Sequence, residues 1–426
     1  MVYVLNSNGQ PLMPTIRHGK VKHLLKSGRA KVVKRCPFTI KLLYDTGNFT
    51  QPLNLGIDTG SGTLAAAVSD SSGNILYMSE VTVRNDIKQR MDERRMYRRN
   101  RRNRKTRYRK PRFMNRKNSI RTDRFSPTMT SKLHSHEKEI SYVKRILPVT
   151  SLILETGTFD MHLMKNPELA KKSIRHWGYR KGPDYGFADT KARILWRDGY
   201  TCQFCKGKRK ASRLEVHHIV WKSQGGSDED MNLITLCDVC HKAVHAGTIA
   251  LNLTGHHKGT LSFATQMNSI RMQLLKTHPD AIETFGCITK ENRQLAGLPK
   301  EHYYDACMIA TGGTAPLFKT GTVYRKRCIP AGDYQKTKGI RSEQPVTTGK
   351  IMGFRKFDKV RYLGREYFIK GRMSTGYAVL MDIHGNKADF SHMPKGYKTP
   401  KLAGMKRLEA RSTWMVTEEA VIRNTA

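Results

Sequence analysis

Four cysteines of this chain stand in two pairs, Cys202-x-x-Cys205 and Cys237-x-x-Cys240. A C-x-x-C turn lets two thiolates reach one ion, and two such turns complete a tetrahedral site for structural Zn²⁺. The 31 residues between the pairs leave room for an inserted element. Four cysteines satisfy one zinc ion, so the histidines of "LEVHHIVWKSQGGSDEDMNLITLCDVCHKAVH", residues 214–245, are left over. His217 and His218 end "RLEVHHIVW", which alternates like a strand. Neighbours on a strand point to opposite faces, so the two rings cannot bind one metal in the same way. His241 and His245 are four apart on what reads as a helix and share one face. Asn232 lies between the pairs. The remaining cysteines, Cys36, Cys287, Cys307 and Cys328, are scattered and read as packed thiols.

A second set of reactive side chains is dispersed along the chain. Asp58 ends an apolar run in "GIDTG", and Glu155 ends another in "TSLILETGTFD". An acid at the end of a buried strand needs a partner or a metal. In "LPKEHYYDACMIA", His302 and Asp305 stand three apart on a predicted helix, on one face.

The elements that must position these groups read as follows. Residues 52–83 read as three short strands joined by the turns "TGSG" and "SDSSGN". Residues 84–117 hold 17 Lys or Arg against three acids, with no helix breaker before Pro111. Arginines surround that helix and leave no apolar stripe. It suits phosphates better than a protein core, because Arg grips phosphate with a planar fork. The whole chain has 426 residues and a formal charge of +42, which points to a polyanionic partner, nucleic acid before others. No run of about 18 apolar residues exists, so no membrane span is expected. Nothing at the N-terminus reads as a cleavable signal, which makes cytoplasmic the default location and disulfides in the cysteine pairs unexpected. The last hundred residues alternate in short strands with glycine turns and read as a small β-barrel. Residues 182–194 and 246–260 are candidate hinges by position.

The His pair, Asn232 and the two helical histidines resemble the HNH nuclease motif, a ββα-metal fold. That resemblance implies His218 as general base, with His217, His241 and His245 as ligand candidates for one Mg²⁺. Asn232 would pin the loop that orients His218. A phosphodiester needs an activated water and a cation to neutralise the leaving oxygen, which fits this set. The dispersed acids resemble the ribonuclease-H-like fold of the RuvC type. By that resemblance Asp58, Glu155 and Asp305 bind two Mg²⁺ about 4 Å apart, with His302 assisting or binding. The family commonly has proline after the first Asp, where this chain has Thr59.

The order of the parts resembles the IscB family, transposon-encoded relatives of the CRISPR type II effector nucleases, down to "GQPLMP" at residues 9–14. The resemblance covers essentially the whole chain and implies an α+β multidomain protein. The expected parts are a PLMP domain at 1–50, RuvC part I at 51–83 and an arginine-rich bridge helix at 84–117. RuvC part II follows at 118–182, an HNH domain with the four-cysteine zinc site at 183–255, and RuvC part III at 256–320. A C-terminal domain at 321–426 would contact RNA and the target-adjacent motif. The implied function is an RNA-guided double-stranded DNA endonuclease with an ωRNA-type guide, acting as one protein copy. HNH would cut the guide-paired strand and RuvC the displaced strand. Arg94, Arg95, Arg98, Arg99, Arg101, Arg102, Arg104 and Arg107 would grip the guide's backbone. The competing readings are an RNA-independent HNH or RuvC endonuclease of a mobile element and a non-enzymatic zinc-containing RNA-binding protein.

Overall fold

The computed structural model describes all residues except 104–124, 158–162, 164–170, 172–184, 210–212, 223–225, 227, 252–261, 331–349, 395 and 422–426. Of residues 101–103 and 262 it gives only the helical backbone. The protein is a mixed α+β chain in two units, one formed by Met1–Gly157 with Ser269–Ala426 and the other by Thr158–Asn268. No helix among the described residues is long and apolar enough to cross a membrane.

The chain opens with β1 (Val2–Leu5), β2 (Pro11–Thr15), β3 (Ala30–Lys34) and β4 (Thr39–Leu42). They pair in the order β2-β1-β4-β3, and Val21 of helix His18–Lys26 is buried against Val2, Val4, Ile40 and Leu42. The meander β5 (Leu53–Asp58), β6 (Thr63–Asp70) and β7 (Asn74–Thr82) follows, with β8 (Ser151–Glu155) after two helices. The second unit holds β9 (Leu214–His218) and β10 (Leu233–Cys237). The first unit resumes with β11 (Ile282–Thr284), β12 (Leu317–Phe318) and β13 (Thr322–Cys328). It ends with β14 (Lys359–Tyr362), β15 (Arg365–Arg372), β16 (Ala378–Met381), β17 (Lys406–Glu409) and β18 (Trp414–Ala420).

The large sheet of the first unit runs β11-β8-β5-β6-β7-β13-β18, with β12 paired to β7. β5 to β7 pair antiparallel, as their tight turns require, whereas β8 runs parallel to β5 through a long crossover. Leu64 to Ser69 of β6 are all buried, so both faces of this strand are covered. Helix Pro127–Ile146 starts on a Ser126 cap that accepts from the Met129 amide, with proline in its first turn. Helix His302–Ala310 buries Tyr303, Tyr304, Ala306, Cys307, Ile309 and Ala310, and Ser69 Oγ donates to the Ala310 carbonyl at 2.7 Å. A Cβ on Gly56 would lie 2.4 Å from the Ala310 nitrogen, so only glycine lets this helix sit so close to β5.

Two expectations about the C-terminal hundred residues differ from what is seen. β13 and β18 pair with each other and extend the large sheet through β7, so they belong to its edge and not to a separate domain. The described remainder is a four-stranded sheet, β16-β15-β14-β17, in place of a small barrel. The alternating pattern fixes which faces are buried, here around Val360, Ile369 and Leu380, but does not state whether a sheet closes. Cys36 and Cys307 are buried and Cys328 is half-buried, but Cys287 is exposed, so packing accounts for only three of the four scattered thiols.

Candidate active sites

In the second unit β9 and β10 pair antiparallel, with Ile234 opposite His217 and Leu233 opposite His218. Helix Asp238–His245 follows directly, capped by Cys237, whose Sγ accepts from the Cys240 amide. The strand end and the helix start thereby deliver Cys237 and Cys240 to one point. The sulfurs of Cys202, Cys205, Cys237 and Cys240 all lie within 4.8 Å of one another. Burial works against ionising Cys205, yet the Arg209 and Gly207 amides and the neighbouring thiols pull it down to about 6. Burial and the neighbouring thiols push Cys240 the other way, toward the protonated thiol, so a cation would have to displace that proton. Four converging sulfurs are the donor set of a tetrahedral zinc site, so the residues fit that ion.

The same helix supports a second cluster. Ligand atoms of His217, His241 and His245 lie within 4.8 Å of one another. His217 is buried and its Nε2 has no hydrogen-bond partner. Burial, then the neighbouring His241 and His245 rings, pushes it down to about 4, so it is neutral at pH 7. A buried, neutral, orphaned imidazole nitrogen aimed at two more histidines fits a divalent cation. His241 donates Nδ1–H to Glu215 at 2.7 Å, which leaves Nε2 facing the cluster. Glu215 was not singled out from the sequence. The period-two rule contained the signal, since Glu215 and His217 share a strand face.

His218 is on the other face, as alternation requires, and donates Nε2–H to Asp228 at 2.7 Å. Asp228 also pairs with Lys222 at 2.9 Å, and those two donors hold its carboxyl below the usual carboxylate range. No local pattern pointed to Asp228, which stands ten positions after His218. Asn232 is buried, accepts from the Val220 amide at 2.8 Å and donates to the Val220 carbonyl at 3.1 Å. It ties the chain after β9 to the chain before β10. Arg193, buried on helix Thr190–Arg197, bonds Asp230, and Arg197 donates to the Asp230 and Leu233 carbonyls at 2.7 and 2.8 Å.

In the first unit β5 and β8 run side by side with Ile57 opposite Leu154, so Asp58 and Glu155 end adjacent strands. Helix His302–Ala310 brings up the other two residues. Ligand atoms of Asp58, His302 and Asp305 lie within 4.8 Å of one another, and His302 donates Nδ1–H to Asp58 at 2.7 Å. That hydrogen bond raises His302 above its ordinary value. Glu155 stands beside this trio, at the N-terminus of helix Gly286–Leu295, where a Cβ on Gly286 would come within 3.0 Å of its Oε1. Asp305 accepts from Arg293 Nε at 2.7 Å, a partner twelve residues away that the sequence reading missed. Converging carboxylates with one histidine fit hard divalent cations.

Burial, then the Asp58 carboxylate beside it, pushes Glu155 up to about 7, against the pull of Arg271. A raised acid favours the fold in its protonated form. That stability is complete below the ordinary value near 4.5 and is lost as pH rises through about 7. A cation must displace the same proton. The divalent-cation concentration that half-fills this cluster is therefore expected to rise by about tenfold per pH unit below 7, the slope of one displaced proton. Mg²⁺ titrations at pH 6.0 and 7.5 check it. A flat dependence removes Glu155 from the ligand set.

Helix Ile87–Asn103 carries Arg94, Arg95, Arg98 and Arg99 as exposed side chains. Arg101 and Arg102 lie on its last turn, and Arg104 and Arg107 lie outside the described residues. Parts of both candidate hinges, 182–184 and 252–260, also lie outside them.

Two stretches of the chain match known protein families. Residues 2–182 match the RRXRR protein family, and residues 202–247 match the HNH endonuclease family. A 56-residue stretch is 32% identical to anaredoxin of Nostoc sp. (strain PCC 7120 / SAG 25.82 / UTEX 2576), covering 13% of this chain and 71% of that protein.

Proposed function

The chain is an IscB-type protein, an RRXRR region followed by an HNH endonuclease domain, and from that premise we propose that it is an RNA-guided DNA endonuclease with two nuclease centres. The observation that carries this reading is that each unit gathers its own set of ligand-capable side chains, His217, His241 and His245 in one and Asp58, His302 and Asp305 in the other. A resolvase or a homing endonuclease needs only one such set.

In the HNH centre His217, His241 and His245 hold one Mg²⁺, while Cys202, Cys205, Cys237 and Cys240 hold the structural Zn²⁺. Asp228 fixes the His218 ring through Nε2, so the lone pair of the neutral imidazole is on Nδ1, and Nδ1 takes the proton of the attacking water. Asn232 keeps the loop in the shape that presents His218. In the first unit the β5–β8 ends and helix His302–Ala310 form a RuvC-type centre on a ribonuclease-H-like sheet. There Asp58, Glu155 and Asp305 hold two Mg²⁺, and His302, bonded to Asp58, assists. When bound, divalent cations at both centres would supply neutralisation of the charge that develops on the phosphodiester oxygens. The HNH centre cuts the guide-paired strand and the RuvC centre the displaced one.

The arginines of helix Ile87–Asn103 grip the guide backbone, a role that needs charge and forked donors but no base-reading geometry. The segments 1–50 and 84–117 act as the PLMP domain and the bridge helix, and within 321–426 the four-stranded sheet β16-β15-β14-β17, apart from β13 and β18, faces RNA and the target-adjacent motif. The protein reads only that short motif directly, and pairing with the guide reads the rest.

The test is to co-express the chain with its native flanking DNA, purify it and sequence the RNA that accompanies it. One species with a fixed structured part and defined ends is expected, and DNA matching its free segment is cut only when that RNA is present. Heterogeneous host RNA, or cutting that survives ribonuclease treatment, overturns RNA guidance and leaves a nuclease that finds DNA by protein contacts.

A further inference from the structure

Arg271 is 5% exposed and lies on helix Ser262–Thr277, through which the chain returns from the second unit to the first. Its guanidinium is spread over both acid-bearing strand ends. Nε donates to Thr59 Oγ1 at 2.8 Å and Nη2 to the Thr59 carbonyl at 3.2 Å. Nη1 donates to the Gly157 carbonyl, and Nη2 stands 3.5 Å from Glu155 Oε1. The Thr59 hydroxyl, which accepts from Arg271, donates in turn to the Glu155 carbonyl at 2.7 Å. One planar fork thus ties the residue after Asp58 to Glu155 and to the second residue beyond it.

We infer that Arg271, acting with the Thr59 hydroxyl, is the positioning residue that sets the separation of Asp58 and Glu155 at the RuvC-type centre. The inference rests on reading that centre as a metal-binding nuclease site. The strand ladder fixes the spacing only up to Ile57 and Leu154, its last paired residues. Asp58 and Glu155, the next and last residues of β5 and β8, pair with Ala65 and Thr284 and not with each other, so the β5–β8 ladder does not hold the two carboxylates at a set distance. Metal-bridged hydrolysis needs its ligands placed to within about 0.5 Å. The buried cation also offsets the repulsion between the two acids. Lysine keeps the charge but cannot donate in three fixed directions at once. Threonine at 59 is therefore more than a turn residue, since a proline there offers no hydroxyl to this network.

The test uses Fe²⁺ with ascorbate on the full protein–RNA complex, because bound iron cuts the protein backbone beside its own site and needs no nuclease turnover. In the wild-type chain, cuts are expected next to Asp58 and Glu155 and, separately, next to His217 and His241. Arg271→Lys and Thr59→Val are each expected to raise the Fe²⁺ needed for the first set by about 10–100-fold, the usual loss when a ligand's supporting partner is removed. The second set stays unchanged, and Mg²⁺-dependent cutting of the displaced strand shifts in parallel. Unchanged Fe²⁺ dependence at Asp58 in both variants overturns the inference. Equal loss at both centres with a lower melting temperature also overturns it, because Arg271 is then only structural. If Arg271→Lys does not fold, Thr59→Val decides, as it changes one hydroxyl. No cutting near Asp58 in the wild type is a different result, since it removes the metal-centre reading itself.

Discussion

Replacing Asp58 by Ala is expected to leave an enzyme that nicks only the guide-paired strand, and replacing His218 by Ala one that nicks only the other. Asp58 is the acid on which the first-unit cluster converges, since His302 bonds it and Asp305 lies within ligand distance. Its removal takes away a carboxylate that no neighbour can replace, and loss of several kcal/mol of charge stabilisation slows that strand by about 10³-fold. His218 bears no part of the metal cluster, because strand alternation turns it away from His217. Its removal takes only the proton acceptor, for a loss of about 10²–10⁴-fold. Strand-resolved gels with each strand end-labelled check both. Variants that each still cut both strands at wild-type rates sink the assignment of two centres.

Lys326→Met is expected to destabilise the first unit by about 3–5 kcal/mol, the range for breaking one side of a buried ion pair. Lys326 and Glu139 both have side chains with 0% exposure, and Nζ lies 2.6 and 2.8 Å from the two carboxylate oxygens. Nζ also donates to Tyr77 Oη at 2.6 Å, while the Tyr77 and Ser79 hydroxyls donate to Glu139. The ring faces of Tyr142 and Trp414 lie 4.2 and 4.7 Å from Nζ. Burial lowers Lys326 below its ordinary value, with Glu139 pulling the other way. Methionine fills similar space but leaves the carboxylate unpaired in a dry core. Such a loss is a large part of the 5–15 kcal/mol typical of whole proteins. Lys326→Met/Glu139→Leu is expected to be less destabilised than the single variant, because it leaves no lone charge. Thermal unfolding, with amide exchange in β7 and β13 to identify the transition, measures both. Equal melting of wild type and the single variant shows that the pair carries no net charge interaction.

The sequence by itself determined what lies within one element or one turn. The C-x-x-C spacings predicted that four sulfurs would converge, helical spacing placed His241 beside His245 and His302 beside Asp305, and alternation separated His217 from His218. Those relations hold because backbone geometry repeats every 3.6 residues in a helix and every two in a strand. The same rule contained Glu215, which was overlooked. Charge pattern located the arginine helix, since no apolar stripe interrupts it. Tertiary structure alone decided which dispersed groups meet. His302 reaches Asp58 across 244 residues, Arg271 reaches Thr59 across 212, and Lys326 reaches Glu139 across 187. It also joined β13 and β18 to the large sheet. Such pairings depend on which strand edges and helix faces close over one core. A side chain's local spacing carries its facing direction but not the identity of what it will face.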